Sequence, residues 1–386
     1  MMQRTVRPVL GPLYLLAAAL FTASQTSPAQ GTPAQTPADH LFADGHYLRA
    51  EPLVNAALGQ HPTDPHLLVA ASALDWAFAR QDGCISLAEK AVAVDDASAE
   101  AHAQLTNALG VKLMGSSAGM MEKLSLARRF KKEAERSLQL NPNNPDSLED
   151  MAQFYWNAPG FAGGDKTRAQ QYADHLFAIN PARGAVLKAS FVSEEKDPSR
   201  RFAATEALWH KAVAARPTSY EAHMGLGEAF FEEATRQVAT GSDPNARFAQ
   251  AEAEDKAALA LSATRIPAYR SLAVLYATQH RWDELDGLLK RARTAVPDDL
   301  SPAYQAARVL LMQADAAQLS RAEQYLRTYL AQPAEGQEPT HADAHWRLAQ
   351  ALERQNRKPE AIHELQIALN LDPGFDAAKK DLRRLS

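Results

Sequence analysis

The chain has 386 residues, 46% of them hydrophobic and 23% charged, with a formal charge of −5. That composition excludes wholesale disorder, and the length exceeds what one globular core usually holds, so the chain either divides into domains or grows as a repeat array. Mild acidity without a basic stripe excludes a nucleic-acid footprint, and few aromatics with abundant alanine favour close-packed helices over sheet.

In chain order, the first element reads as a leader. Arg4 and Arg7 precede an apolar run from Val9 to Ala23, and small residues follow around Ser24 and Ala29. This is the pattern of a Sec-type signal peptide over residues 1–24. An uncleaved anchor is the alternative, but the run is shorter than the roughly 20 residues of a spanning helix and contains Gly11 and Pro12. No cysteine follows it, which argues against a lipoprotein anchor. Residues 25–37 (QTSPAQGTPAQTP) read as a disordered linker before a folded region over 38–386. Cys84 is the single cysteine, so no intramolecular disulfide can form. The expected location is the bacterial periplasm or the secreted space, with no stable membrane insertion after cleavage.

From residue 38 the chain repeats itself. Pro62, Asp96, Pro142, Pro181, Pro217, Ala263, Pro297, Pro333 and Pro373 close successive units, at intervals of 34, 46, 39, 36, 46, 34, 36 and 40 residues. Each unit reads as two amphipathic helices and a turn. Tyr269, Leu272, Ala273 and Tyr276 share one helix face, followed by Leu285, Leu289, Ala292 and Pro297. His345, Leu348, Ala349, Leu352, Ala361, Leu365, Ala368 and Pro373 fill the same slots at the end of the chain. The small residues let helix backbones approach, and the proline ends a helix.

These residues resemble the tetratricopeptide repeat family, whose period is about 34 residues. The resemblance implies an all-α, right-handed superhelical solenoid of about nine antiparallel helix pairs. Residues 374–386 are expected to form a polar capping helix over the open end of the stack. Inserts at 114–125 and 237–246 lengthen the units at 99–144 and 220–265, and shorter ones fall at 159–164 and 334–340. The stretch around Phe154-Tyr-Trp-Asn-Ala-Pro-Gly-Phe-Ala-Gly-Gly-Asp165 resembles a group of exported bacterial repeat proteins, which implies an envelope protein.

Few residues suggest chemistry. Gly160 to Asp165 could cradle a phosphate, but the spacing is not a P-loop and a structural turn is expected. His341 and His345 lie one helical turn apart and could share a metal. His345, however, occupies the same large-residue slot as His102 and His223, so packing is expected and no metal or cofactor is assigned. The basic run Arg128, Arg129, Lys131, Lys132 and Arg136 is interleaved with Glu133 and Glu135, as on a solvated face. Cys84 fills an alanine slot and is expected to be buried. No catalytic set is visible, and the chain is not expected to be an enzyme.

The family resemblance implies that first helices line a concave groove. Carried onto this chain, the groove residues are Asn107, Gln153, Trp156, Asn157, Glu228, Phe231, Arg270, Tyr304, Arg308, Trp346 and Gln350. Aromatics and arginines are the residue types that anchor a partner. The alternative for Trp156 and Phe231 is packing against the inserts of their own units. The expected function is a periplasmic scaffold or adaptor that holds an envelope protein in this groove. The alternative is a small-ligand-binding solenoid serving a transporter, for which a deep apolar pocket would be the sign.

Overall fold

The computed structural model describes residues 36–115, 119–313, 316–335 and 339–386. The expected leader over 1–24, and the linker as far as residue 35, lie outside them. The described residues form nineteen α-helices and no strand. Helices α1 (Pro37–Ala43) and α2 (Tyr47–Gln60) make the first pair, followed by α3 (Pro65–Ala77) and α4 (Gln81–Val94), then α5 (Ala99–Gly115) and α6 (Met120–Leu140). The fourth pair is α7 (Pro145–Asn157) and α8 (Lys166–Ile179), the fifth α9 (Pro181–Val192) and α10 (Pro198–Ala215), the sixth α11 (Tyr220–Thr240) and α12 (Asn245–Leu261). The last three are α13 (Ile266–Thr278) and α14 (Trp282–Ala295), α15 (Ser301–Gln313) and α16 (Leu319–Leu330), α17 (His341–Arg354) and α18 (Lys358–Leu371). Helix α19 (Asp376–Leu385) follows and packs on α18.

Helix starts are written into the sequence. Asp64, Asn144 and Asp197 each accept a backbone N–H of the first turn, and each precedes a proline at the first helical position. Pro181 departs from the expected closing role. It opens α9, and Asn180 serves both as the end of α8 and as the cap of α9. The two larger inserts lengthen the helices on either side, so that α5 and α6 have 17 and 21 residues and α11 and α12 have 21 and 17.

The 159–164 insert is a structural turn. Gly163 has φ 97°, and a Cβ on Gly164 would fall 1.7 Å from the Ala158 carbonyl oxygen. Asp165 then caps α8 by accepting from Thr167 and Arg168.

Turns between the two helices of a pair share a staple. Ala79, His280 and Asn356 all adopt left-handed backbone, with φ of 59°, 58° and 63°. The next residue is an arginine each time, and each one pairs with a glutamate on the second helix of the preceding unit. Arg80 reaches Glu51 at 2.6 Å, Arg281 reaches Glu252 at 2.6 Å, and Arg357 reaches Glu323 at 2.7 Å. The tight turn aims the guanidinium backwards along the stack.

Candidate functional site: the concave face and its closure

Consecutive first helices, from α3 through α5, α7, α9, α11, α13 and α15 to α17, all pack on one another, while successive second helices are not comparably joined. Units packed more tightly on one side curve towards it. The first helices therefore form the inner layer, which is the orientation the family resemblance implies.

The three histidines at the equivalent slot are explained by this pairing. His102 Nδ1 lies 2.7 Å from Glu133, His223 Nδ1 2.6 Å from Glu254, and His345 Nδ1 2.6 Å from Glu364, each time on the second helix of its own unit. His102 and His223 also reach the carbonyl oxygens of Asp96 and Pro217, tying helix to closing turn. His341 packs edge-on to Tyr329, so the two neighbouring imidazoles serve different contacts. Cys84 is buried, and its backbone carbonyl accepts the Ser72 hydroxyl at 2.7 Å. The basic run on α6 is solvated or paired at the surface, with Arg129 on Glu89 and Arg136 on Asp96.

Several expected groove residues are engaged within the chain. Trp156 stacks on Phe191 of the next first helix at 4.0 Å, with the Lys166 ammonium over its ring, and Phe231 packs against Phe248 of its own unit. Arg270 holds Asp299 at 3.0 Å and Ser301 at 2.6 Å, bracing the turn into α15. Trp346 donates to Asp381 and meets Phe375, which fastens the capping helix. Tyr304 is buried and donates to Asp343, which also pairs with Arg347 at 2.7 Å. Gln153 donates to Glu149, and Asn157 to the Gln153 carbonyl. Asn107 on α5 and Gln350 on α17 are partly exposed.

Glu228 lies beside two further carboxyls. Burial, then the neighbouring Glu232 and Asp255, push it up to about 8. Burial raises Glu232 as well, with Arg201 opposing the shift.

Arg308 is different. Most inner-layer arginines have an acid. Arg183, 5% exposed, pairs with Asp146 at 2.6 Å and Glu149 at 2.7 Å, Arg265 pairs with Glu221, and Arg270 and Arg347 pair as above. On Arg308, Nε and Nη2 are buried and have no hydrogen-bond partner, and neither has the Gln305 side-chain oxygen one turn away. Burial lowers the Arg308 pKa, with the charge of Arg347 adding to the effect and Tyr304 and Asp343 opposing it. Two buried, unpartnered guanidinium nitrogens are costly to keep in a fold unless something else completes them.

A second feature, the closure of the solenoid on itself, left no trace in the repeat pattern. Residues 44–49, the α1–α2 turn and the first turn of α2, touch the turns that open α13, α15 and α17. His46 Nε2 donates to the Thr264 carbonyl at 3.0 Å, Arg49 Nε lies 2.6 Å from Asp298, and Leu48 N–H donates to Glu335 at 2.6 Å. Leu48 is in the first turn of α2, and its N-cap residue, His46, makes no side-chain cap. Glu335 therefore caps α2 from the far end of the chain, within the 334–340 insert. Burial still pushes the Glu335 carboxyl up to about 7, although the Leu48 N–H favours its charged form.

Residues 342–375, the last pair with its turn, match the tetratricopeptide repeat family. The last unit is a tetratricopeptide repeat. The nine helix pairs of the described residues share its two-helix plan, and the long units have longer helices. No curated protein matches the sequence. Among solved structures, the chain is similar to yeast Tom70 at 14% identity, over 90% of this chain and 86% of that one, with TM-score 0.46. It is similar to the human IFIT1 dimer with PPP-AAAA at 15% identity, over 90% and 80%, with TM-score 0.49. A thermophilic tetratricopeptide protein of Thermus thermophilus matches at 19% identity, over 53% and 97%, with TM-score 0.36.

Two surface depressions accompany the array. One, of about 310 Å³, lies between units four and five beside Trp156, Phe191, Leu208 and Lys211. The other, of about 490 Å³, lies between α14 and α16 beside Arg293, Glu323 and Arg327. Both open to solvent.

Proposed function

We propose that this tetratricopeptide array is a non-catalytic scaffold of the bacterial envelope, exported by its leader, that holds a protein partner against its concave face. The observation that carries this reading is Arg308. Its guanidinium is set into the inner layer with Nε and Nη2 unpartnered, beside the unpartnered Gln305 oxygen. Arg308 is partly exposed, and a change of its rotamer would bring the fork to a partner's carboxylate, where a charge-assisted pair contributes more than a neutral hydrogen bond. Export rests on Arg4, Arg7 and the apolar run that follows. Among the described residues, the depressions beside Trp156 and Arg293 are open clefts, which gives the small-ligand reading less support.

The test is a crosslinking pull-down from envelope extract with the chain from residue 30 onward, beside an Arg308→Ala control. A protein captured by the wild type and lost in the control supports the scaffold and places the anchor. Capture unchanged by Arg308→Ala removes the concave face from the proposal. Failure to capture any protein, with a small molecule seen by native mass spectrometry, transfers the function to the alternative.

A further inference from the structure

We infer that α1 and α2 are a clasp, a separable leading pair that closes the solenoid into a ring and releases it without unfolding the rest. This rests on the reading that the concave face is the binding surface, because its role is to control lateral access to that face.

The argument is a comparison of two seams. On one side, α1 and α2 pack on the second unit through carbon. Ala38, Ala50, Val54, Ala71 and Leu74 form a buried cluster with Phe42, Tyr47 and Phe78 around it. On the other side, the pair meets units seven to nine through polar groups. These are His46 with Thr264, Arg49 with Asp298, Leu48 N–H with Glu335, and Asp44 with Thr264 and Arg265. None of the buried apolar clusters of the described residues joins 36–60 to the last three units.

Apolar burial scales with area and is hard to undo piecemeal, whereas exposed or half-exposed ion pairs contribute little each and are screened by salt. Arg49 is 47% exposed and its partner Asp298 23% exposed, whereas His46 and Glu335 are buried, so the salt-sensitive part of this seam is the Arg49–Asp298 pair. The two seams therefore differ in strength, and the polar one opens first. Local openings of this sort belong to the low-stability end of a native ensemble.

The opened state has a defined cost. Leu48 N–H loses its cap, and no side chain of its own helix replaces Glu335. Pro52 already removes one internal bond from α2, the one that would reach the Leu48 carbonyl. The first turn of α2 is thus the weak point of the clasp, and Glu335 is its catch. In the closed state, first helices on the inner side of a curve whose ends meet are encircled, so a partner approaching from the side requires release.

Hydrogen exchange on the full chain reads this without any ligand, in wild type and in an Arg49→Ala/Asp298→Ala/Glu335→Gln variant. Wild-type amides of residues 47–50 should exchange faster than those of Leu272 and Leu275 in the α13 core, and faster again in 1 M salt. The variant should accelerate residues 47–50 by roughly tenfold or more while leaving the α13 amides unchanged. Its radius of gyration by solution scattering should rise. Residues 47–50 exchanging only with global unfolding, in either salt, would overturn the clasp. So would a folded variant with unchanged exchange and unchanged radius. An Arg308→Ala chain that loses its partner but keeps wild-type exchange at 47–50 separates the clasp from the binding reading, since each can fail alone.

Discussion

The His46 imidazole lies 3.0 Å from the Thr264 carbonyl oxygen, 218 residues further along the chain. Contacts in a solenoid normally link neighbouring units, so this one means that the superhelix has come round to meet itself. It also changes what the first unit is for. In an open array the leading pair is an end cap, whereas here it is held on both sides.

The turn at Ala79 stores strain that a single substitution should relieve. A non-glycine residue with φ 59° is disfavoured by roughly 1–2 kcal/mol, and nothing in the turn needs the methyl group. Ala79→Gly is expected to stabilise the fold by about 0.5–1 kcal/mol in urea denaturation, after the extra entropy of glycine in the unfolded chain is counted. Asn356→Gly should gain less, because asparagine tolerates this backbone. A loss of stability in Ala79→Gly would contradict the strain assigned to the turn.

His66 ties three units together. It lies 3.3 Å from Asp39 on α1 and 3.4 Å from Glu100 on α5. Hydrogen bonding to Asp39, then to Glu100, raises its pKa from 6.5 to about 10. A raised folded pKa means that this stabilisation is fully present below about pH 6.5 and is lost as pH rises towards 10. Denaturation from pH 6 to 10 should show stability falling, and His66→Ala should flatten the curve. Equal slopes in both chains would refute the assignment.

Asp255 works in the same direction for another reason. It is 0% exposed, and burial pushes it from 3.8 up to about 8, with Glu254 and Glu252 adding to the effect. The unfolded chain ionises near pH 4 while the folded chain holds its proton, so stability declines as pH rises from about 4 to 8. Asp255→Asn, which is neutral at every pH, is expected to be more stable than wild type at pH 8 and to have a shallower slope. His66 and Asp255 share no contact, so combining the two variants should give additive effects.

Gly225 on α11 lies against Trp209 on α10, across the seam between the fifth and sixth units. A Cβ there would fall 2.3 Å from the Trp209 ring. The ring is buried and cannot move aside freely, so Gly225→Ala is expected to destabilise by about 1–3 kcal/mol. Thermal melting measures it, and a neutral result would show that Trp209 has room the packing does not reveal. Gly59, with nothing within 4 Å of an added Cβ, is the control.

Much of the architecture could be read along the chain because each unit states its own rules. Asp64-Pro65 and Asn144-Pro145 start helices, alternating large and alanine positions fix the packing face, and Gly163 with Gly164 demand a turn. The slot shared by His102, His223 and His345 was legible as packing, and the structure adds the glutamate that each one meets. The candidate site was legible only as a surface. Helix periodicity identifies which residues leave the packing face, but not which of them find partners. Arg270 and Arg308 look alike in sequence, and only one has a carboxylate within reach.

The sequence by itself determined the local element: two helices, their caps, their small-residue faces and the period at which they recur. These follow from interactions over a few residues, repeated nine times. The tertiary structure alone decided the curvature, and with it the meeting of residues 44–49 with Thr264, Asp298 and Glu335. Small rotations between units add up around the superhelix, and no local pattern records their sum. The pairing of His46 with Thr264, the trans cap on Leu48 and the unpaired state of Arg308 are consequences of that sum.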